Sequence, residues 1–401
     1  MKALIIAPQP FFSPRGTPFS VYFRTLISGE LGVQSDFLTY GEGEDVDIPG
    51  VRFFRIPRFK FLGNVKIGPS ALKLFLDVFI FFRMIGLLLR NRYDFVHAHE
   101  EAVFFAFFLK PIFKYKLVYD MHSSLPQQLT NFEFSTSKLL INLFKNLEDA
   151  CLRSADAIIT ICPDLYDYVN NLIDNKEKHY LIENSIFDPV KTIRTNGKEA
   201  QLNSASISID TTEISNRLKS KKTIVYAGTL ESYQGIDMLI PAFEKVSQKH
   251  QDALLLIVGG TKEQVEYYAR LAEELSINDN VIFTGRLSQK SAKYFTNRAD
   301  VLVSPRSAGT NTPLKIYEQI ASGKPLVATN IYSHTQVLNE KVAFLVNPTP
   351  QDLAYGISAA LESNGEAKEK IRHAKELYKN MYSRKVYKSK LESLFKYLQN
   401  L

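Results

Sequence analysis

The stretch 301–328 constrains the fold more than any other part of the sequence, because it reads as strand, loop, helix, turn and strand. Apolar residues at 301–303 end a strand, and Thr312 can cap a helix whose first residue is Pro313. A glycine and a proline then end this helix, and an apolar strand begins at 326–328. The pattern predicts an α/β unit in which a helix N-terminus follows a buried strand.

Two charged residues, Lys315 and Glu318, lie near the start of the predicted helix. They are three positions apart and therefore share one face of it. A helix N-terminus attracts anions, so Lys315 can neutralise a phosphate there and Glu318 can accept hydrogen bonds from ribose hydroxyls. An ordinary surface ion pair explains the same two residues equally well.

A longer motif, P-x-K-x-Y-E-x-x-A-x-G-K-P-x-V-A, spans residues 313–328. It resembles the nucleotide-sugar motif of the group 1, family 4 glycosyltransferases, which have the GT-B fold. The resemblance implies an α/β architecture of two Rossmann-like domains with a cleft between them. It also assigns Lys315 to the leaving diphosphate and Glu318 to the ribose, and we count both among the catalytic residues.

The length of 401 residues predicts more than one domain. We predict an acceptor-side Rossmann-like domain at 1–187, a polar linker at 188–222 and a nucleotide-sugar-binding domain at 223–380. One short helix is expected inside the linker, over 212–219. The resemblance implies that the last segment, 381–401, is a helix that returns to the N-terminal domain.

Two predicted strand ends in the first domain carry histidines, His99 and His122. Ligands bind at the carboxyl ends of strands in open α/β sheets, although a single histidine there is more often structural. In the resembling family a histidine at the position of His122 lies beside the transferred sugar, so we assign it to catalysis and His99 to the acceptor side. The family's flexible loop after the first strand faces donor phosphate and acceptor, and here it carries Arg15 and Gly16.

The donor side departs from the family pattern at three positions. Thr229 and Gln234 stand where the family has an arginine and a lysine that hold the diphosphate, and Thr310 replaces the first of two glutamates. A diphosphate left without compensating charge in a closed site would be prohibitively unstable. The start of the helix, Lys315, and Arg306 or Arg15 can replace the missing charges, and the alternative is that transfer activity has been lost. The residues that we assign to donor binding are Gly16, Gly228, Thr229, Gln234, Arg286, Arg306, Thr312, Pro313 and Leu314.

The resemblance implies transfer of a sugar from a nucleotide-diphosphate donor to a carbohydrate or lipid-linked acceptor, as in cell-envelope glycan synthesis. It further implies a hexosyltransferase that retains the anomeric configuration and requires neither metal nor cofactor besides the donor. The D-x-D at 45–47 is a metal-binding pattern in the other major glycosyltransferase fold. It follows no hydrophobic strand, and we treat it as coincidence.

Other functions remain open. The missing charges favour a non-catalytic, membrane-docked nucleotide-sugar-binding protein. An epimerase of the same fold would need acid and base carboxylates at the sugar, and the sequence places none. A phosphorylase would use phosphate and usually a pyridoxal lysine, for which no motif stands out, and residues 8–16 lack the G-x-G-x-x-G of a dinucleotide oxidoreductase.

The net charge of +7 favours anionic partners. Basic residues and phenylalanines alternate from Arg52 to Lys73 without an acid, which is typical of an anionic-membrane contact, of single-strand nucleic-acid binding or of a solvated edge. We favour the membrane and expect no nucleic acid. The apolar run 71–89 contains three charged residues and therefore does not predict a membrane span.

The remaining signals predict a cytoplasmic location. The apolar segment at 1–7 is too short for a signal peptide and reads as a first strand. Cys151 and Cys162 lie in apolar contexts without metal-ligand spacing, as buried thiols of a reducing compartment do. If the basic stretch binds lipid, the protein is at the inner face of the cytoplasmic membrane.

Overall fold

A computed structural model shows that the chain folds as two compact units. The first unit comprises Met1–Gly197 and Arg384–Leu401, and the second comprises Lys198–Ser383. The structure describes all residues except 14–15, 60–62, 64, 66–69, 127–136, 189, 191–210 and 363.

The first unit is built on a sheet of seven parallel strands. The strands are β1 Lys2–Ala7, β2 Gln34–Thr39, β3 Val51–Arg55, β4 Phe95–His99, β5 Lys116–Met121, β6 Ala157–Thr160 and β7 His179–Leu181. Their order in the sheet is β3-β2-β1-β4-β5-β6-β7, and every neighbouring pair is parallel. The strand order reverses direction between β1 and β4, which is where ligands bind in doubly wound sheets.

Helices cover both faces of this sheet. They are α1 Gly16–Glu30, α2 Ala71–Arg90, α3 Ala102–Phe113, α4 Lys138–Ser154, α5 Pro163–Leu172 and the C-terminal helix Arg384–Asn400. Alternate residues of β1 point to opposite faces, so Leu4 and Ile6 pack with α2, α3 and α4 in one core. Ile5 packs in the other core with α1 and the C-terminal helix, which contributes Phe395 against Phe95.

The second unit repeats the architecture with six parallel strands. The strands are β8 Lys222–Ala227, β9 Ala253–Val258, β10 Val281–Gly285, β11 Val301–Ser304, β12 Leu326–Thr329 and β13 Phe344–Val346. Their order is β10-β9-β8-β11-β12-β13, so the strand order reverses between β8 and β11. This confirms the α/β class with two Rossmann-like sheets.

The helices of the second unit connect these strands and cover both faces of the sheet. They are α6 Thr211–Leu218, α7 Ile236–Lys249, α8 Lys262–Glu274, α9 Gln289–Arg298, α10 Lys315–Ala321, α11 Tyr332–Thr335, α12 Pro350–Glu362 and α13 Asn364–Leu377. A π-helical turn, Tyr378–Tyr382, follows, and Ser383 is extended before the C-terminal helix, which we number α14. Much of the linker predicted at 188–222 lies outside the described residues, but α6 matches the short helix predicted there.

The start of α10 differs from the prediction. The helix begins at Lys315 after a turn in which the N–H of Ile316 donates to the carbonyl of Pro313 at 3.0 Å. Leu314 occupies the N-cap position, and no side chain of the described residues caps the helix. Thr312 is therefore not the cap and Pro313 is not the first helical residue, because the first turn closes with i→i+3 rather than i→i+4 bonds.

Candidate functional site

A buried ionic cluster lies at the carboxyl edge of the first sheet, centred on Asp120 of β5. The guanidinium of Arg24, from α1, donates to both oxygens of this carboxylate, and Nε2 of His97 lies 3.0 Å from Oδ2. His99 Nδ1 lies 3.2 Å from Oδ2 and 3.1 Å from Nε2 of His122, which is 3.4 Å from Oδ1. The structure therefore brings the two predicted histidines, His99 and His122, into direct contact.

The charges of this cluster are compensated within it. Burial lowers the pKa of His99 well below its usual value and that of His122 to about 4, so both imidazoles are neutral near pH 7. Burial by itself would raise the pKa of Asp120, but Arg24 and the histidines outweigh it and hold that pKa well below the usual range. The guanidinium of Arg24 and the carboxylate of Asp120 are therefore paired with each other.

Arg24 ties this cluster to two other parts of the first unit. Its Nε donates to the hydroxyl of Tyr387 on α14 at 3.0 Å, and Nη2 donates to the carbonyl of Ile182 at 2.9 Å. The side chain is 1% exposed. Arg24 thereby fixes the position of Asp120, which contacts the histidines.

The composition of the cluster also resembles a metal site. His97, His99 and Asp120 each offer one ligand atom, and these atoms lie within 4.8 Å of one another. A divalent cation there would have to share the carboxylate with the guanidinium of Arg24, which already donates to both oxygens. Because the two cations would repel each other, the geometry fits an ion pair better than a metal.

A second polar group follows His99 directly. Glu100 has a left-handed backbone with φ of 49°, and the Ser123 hydroxyl donates to its carboxylate at 3.5 Å. Burial and the neighbouring Glu101 raise the pKa of Glu100 to about 7. Lys73 of α2 pairs with Glu101 at 2.9 Å. Glu100 therefore places a carboxylate directly after His99, where the sequence alone had placed no acid or base carboxylate.

Of the two loop residues predicted to face the donor and acceptor, only Gly16 is described, and no described contact joins it to either polar group. Gly16 is the first residue of α1 and is exposed. Arg15 lies outside the described residues, so its predicted role on the acceptor side stays a prediction.

Lys315 is the centre of the polar group in the second unit. Its ammonium lies 3.3 Å from Oε1 of Gln234 and 4.2 Å from the ring centre of Tyr226, on β8. The hydroxyl of Tyr226 donates to the carbonyl of Thr229 at 2.6 Å. A Cβ on Gly228 would lie 2.8 Å from the Tyr226 hydroxyl and 3.3 Å from the ammonium, so only glycine fits there.

Arg306 adds a second cation to this group. Its guanidinium lies 5.1 Å from the ring centre of Tyr233, and Nη1 donates to the carbonyl of Asn311 at 3.0 Å. Its Nε is buried and, among the described residues, has no hydrogen-bond partner. The buried, neutral His334 lies nearby, since Lys315 and Arg306 both contribute to the lowering of its pKa to about 4, after burial.

Unlike the cluster around Asp120, this group carries positive charge that no described carboxylate balances. Burial, and then the positive charge of Arg306, lowers the pKa of Lys315 to about 7. Burial also lowers the pKa of Arg306. In the described part of the chain neither cation forms an ion pair with a carboxylate. The ammonium of Lys315 packs against Tyr226 and Gln234, and the residue is only partly exposed.

The other residues predicted to bind the donor are not in described contact with the ammonium of Lys315. Glu318 lies one turn after the start of α10, and burial raises the pKa of its carboxylate, with Lys293 opposing that shift. The hydroxyl of Thr312 is buried and has no partner among the described residues. Arg286 is exposed after β10, an edge strand of the sheet, and no described contact joins it to Lys315. Because α10 has only seven residues, the side-chain cations rather than the helix end distinguish this site.

Two family models match the chain and together cover most of it. The model described as glycosyl transferases group 1 matches residues 209–378. The model described as glycosyl transferase 4-like domain matches residues 23–181. The chain belongs to the group 1, family 4-like glycosyltransferases.

Curated relatives of this glycosyltransferase carry related names. An uncharacterised glycosyltransferase of Methanocaldococcus jannaschii is 23% identical over 373 residues, which are 89% of this chain and 91% of that protein. The phosphatidyl-myo-inositol mannosyltransferase of Mycobacterium tuberculosis is 32% identical over 152 residues, 36% of this chain and 39% of that protein.

Solved structures agree on the fold of the glycosyltransferase. Sucrose-phosphate synthase of Thermosynechococcus elongatus superposes with a TM-score of 0.75 at 18% identity, covering 100% of this chain and 99% of that one. The Anabaena protein HepE in complex with UDP gives a TM-score of 0.71 at 16% identity, with 100% of both chains covered. The fold is GT-B, as the motif predicted.

Sequence reasoning missed several residues that the structure brings to these groups. Arg24, Asp120 and Tyr226 belong to no motif that we singled out, and their partners are distant in the sequence. Glu100 gave a signal that we did not use, because it directly follows His99 at the end of a predicted strand. A carboxylate at that position deserved the same weight as the histidine.

Proposed function

We propose that this glycosyltransferase takes its sugar from a nucleotide-diphosphate donor whose diphosphate binds Lys315 and Arg306. The observation that carries the proposal is a pair of neighbouring, partly buried cations without a carboxylate partner among the described residues. A buried charge is stable only when it is paired, and a diphosphate supplies the missing negative charge. The Anabaena neighbour was solved with UDP and with UDP-glucose, which supports a nucleotide-sugar donor.

In the proposed reaction the bond between the anomeric carbon and the diphosphate oxygen breaks, and the carbon bonds to an acceptor hydroxyl oxygen. The hydroxyl proton leaves with the nucleoside diphosphate. Lys315 and Arg306 stabilise the charge that develops on the leaving group, which is a large term in catalysis. We propose that these two cations make a divalent metal unnecessary and that the anomeric configuration is retained.

The roles of the remaining residues follow from their chemistry. Glu318 presents a carboxylate without a described hydrogen-bond partner, and we propose that it accepts from the ribose hydroxyls. His122 and His99 are neutral, and a neutral imidazole can hydrogen-bond a sugar hydroxyl without adding charge. Glu100 is a further candidate for an acceptor hydroxyl, since its carboxyl titrates near pH 7.

The acceptor class is proposed from the relatives. A phosphatidyl-myo-inositol mannosyltransferase and an alpha-monoglucosyldiacylglycerol synthase are among them, and a lipopolysaccharide glycosyltransferase is a structural neighbour. These names support transfer of a sugar to a glycan or lipid-linked acceptor. We propose hexosyl transfer in cell-envelope synthesis at the inner face of the cytoplasmic membrane. No helix among the described residues is long and apolar enough to cross a bilayer.

A panel of nucleotide sugars tests the proposal. We expect one or a few donors to be bound and hydrolysed or transferred, with turnover unchanged by a chelator. Binding without any turnover would indicate the non-catalytic alternative. Conversion of the donor into its epimer would instead indicate an epimerase that uses Glu100. Absence of binding across the panel would overturn the donor assignment.

A further inference from the structure

Three helices on one side of the first sheet expose large apolar side chains to solvent. Of the sixteen large hydrophobic residues exposed in the described chain, nine lie on α2, α3 and α4. Five of the other seven are tyrosines, which keep a polar hydroxyl. We call this surface the outer apolar face and define it by Phe82, Leu89, Phe108, Ile112, Leu139 and Leu143, which are 59–84% exposed.

The outer apolar face is continuous across the three helices. Phe81 of α2 lies 5.8 Å from Phe105 of α3, and Phe104 of α3 lies 5.9 Å from Phe144 of α4, measured between ring centres. These half-buried rings join the exposed side chains into one patch. Single exposed apolar residues are ordinary, but a contiguous patch on a soluble chain marks an interaction surface.

Helix α2 shows most clearly that this face is not part of the protein core. Its inner side is already packed, with Ile80, Met84 and Leu87 buried in the core of the unit. Its outer side carries Val78, Phe82 and Leu89. A helix that is apolar on both sides requires an apolar environment on both.

The charged residues on these three helices indicate which kind of partner binds the outer apolar face. All three acids on α2, α3 and α4 are buried: Asp77, Glu148 and Asp149. Every exposed charged side chain on these helices is therefore basic, although Lys145 also contacts Asp149 at 3.1 Å. The exposed basic residues are Arg83, Arg90, Lys138, Lys145 and Arg153.

We propose that the outer apolar face docks on an anionic lipid bilayer, with its side chains in the hydrocarbon boundary and its basic residues among the headgroups. A second copy of the chain fits poorly, because a symmetric contact would place basic residues against basic residues. An anionic bilayer satisfies both the apolar and the positive character of the face. This inference rests on the membrane location proposed above.

The membrane contact predicted at Arg52 to Lys73 is described only in part, since Lys60 and Lys66 lie outside the described residues and Arg58 is exposed. Arg52 pairs with Asp36 at 2.7 Å, and Lys73 pairs with Glu101 at 2.9 Å. The guanidinium of Arg55 donates to backbone carbonyls of the first unit and contacts Asp45. Arg52, Arg55 and Lys73 therefore already have partners, so the proposed docking rests on the outer apolar face rather than on these three residues.

The outer apolar face adjoins the polar group beside His99. The first two turns of α2 expose Leu74 and Val78, and the same turns carry Lys73, which pairs with Glu101. Docking would therefore place the Glu100–Glu101 segment near the headgroups. This position suits an acceptor that is itself a membrane lipid.

Flotation of the full-length protein with vesicles tests the docking, without any donor present. We expect strong recovery with phosphatidylcholine mixed with phosphatidylglycerol and weaker recovery with phosphatidylcholine alone. Phe82→Ser with Phe108→Ser should weaken partitioning roughly a hundredfold, since each buried phenylalanine contributes on the order of tenfold. Arg83→Glu with Arg90→Glu should remove the preference for the anionic vesicles.

Matched controls lie in the second unit. Tyr355→Ser removes an aromatic ring that is 76% exposed, and Arg270→Glu reverses an exposed charge, so both should float as the wild type does. Donor binding by all variants, measured by calorimetry, separates this result from the proposed function. Equal flotation of the Phe82→Ser, Phe108→Ser variant and the wild type would overturn the inference. So would a self-association that those substitutions abolish, since a second copy would then be the occupant.

Discussion

The polar groups of the two units occupy equivalent places in their sheets but differ in charge balance. In the first unit Arg24 and Asp120 are both buried and neutralise each other, and His99 and His122 beside them are neutral. In the second unit Lys315 and Arg306 lie close together and have no described carboxylate partner. The first group is electrostatically complete as folded, whereas the second is completed only by an anion.

Because of this difference, substitutions in the first group should affect stability, whereas substitutions in the second should affect binding. Removing a member of a complete buried pair leaves the other charge uncompensated, which costs folding free energy. Removing a cation from an incomplete group relieves repulsion in the empty protein and costs binding instead. The predictions below test that contrast, from the largest expected effect to the smallest.

The largest effect is expected from Asp120→Asn, which leaves the guanidinium of Arg24 buried without its carboxylate. We expect the free energy of unfolding to fall by about 3–5 kcal/mol, measured by urea denaturation followed by circular dichroism. Glu30→Gln removes the carboxylate of a more exposed pair with Arg384 and should cost at most about 1 kcal/mol. Similar losses in both variants would show that the Arg24–Asp120 pair is not energetically special.

The second effect concerns Lys315→Ala. Turnover should fall on the order of a hundredfold, because a preorganised charge on the leaving group is lost. Stability should change by less than about 1 kcal/mol, since the ammonium is desolvated and unpaired in the empty protein. Steady-state kinetics on the accepted donor, with Lys262→Ala as an exposed-lysine control, measures the difference.

The neighbour of Lys315 offers a rescue that sharpens this test. Gln234 lies 3.3 Å from the ammonium, so Gln234→Lys can return a cation to nearly the same place in the Lys315→Ala background. We expect partial recovery of turnover, and more when Thr229→Arg is added. If Lys315→Ala itself keeps near-normal turnover, the diphosphate is bound by another residue, and Arg306 and Arg15 are the next candidates.

The third effect is smaller and concerns Glu318→Gln. An amide accepts hydrogen bonds from ribose less strongly than a carboxylate, and a charge-assisted bond is worth roughly 1.5–3 kcal/mol. Donor affinity should therefore fall tenfold or more, at about 1.4 kcal/mol per decade. Calorimetry measures the donor affinity of the folded Glu318→Gln variant, with the exposed Glu266→Gln as the control. Unchanged affinity would show that Glu318 is not part of the donor site.

The sequence predicted the parts of this molecule that depend on local pattern. Apolar runs followed by turn residues located the strands around Lys315, and the motif at 313–328 identified the family. His99 and His122 were found because parallel strand ends meet at one edge of a sheet.

The features that it did not predict depend on contacts between distant residues. Arg24 lies in the middle of α1, and its partners, Asp120 and Tyr387, are far away in the chain. The packing of Lys315 depends on Tyr226 and Gln234, which precede it by several secondary-structure elements. A capping residue before a proline predicted the wrong helix start, because residues 312–314 form a tight turn instead.

The central claim is that Lys315 completes its charge balance with the donor diphosphate, and proton uptake on binding tests it most directly. In the empty protein the pKa of Lys315 is about 7, so much of the ammonium is deprotonated above that pH. A bound diphosphate raises this pKa, so binding near pH 8 must take up a proton, and affinity must fall as the pH rises above 7.

The measurement is calorimetry of nucleoside diphosphate binding in two buffers of different ionisation enthalpy. The account predicts an uptake approaching one proton for the wild type and none for Lys315→Arg, which is always charged. Binding without proton uptake in the wild type, or with the same uptake in Lys315→Arg, would contradict it.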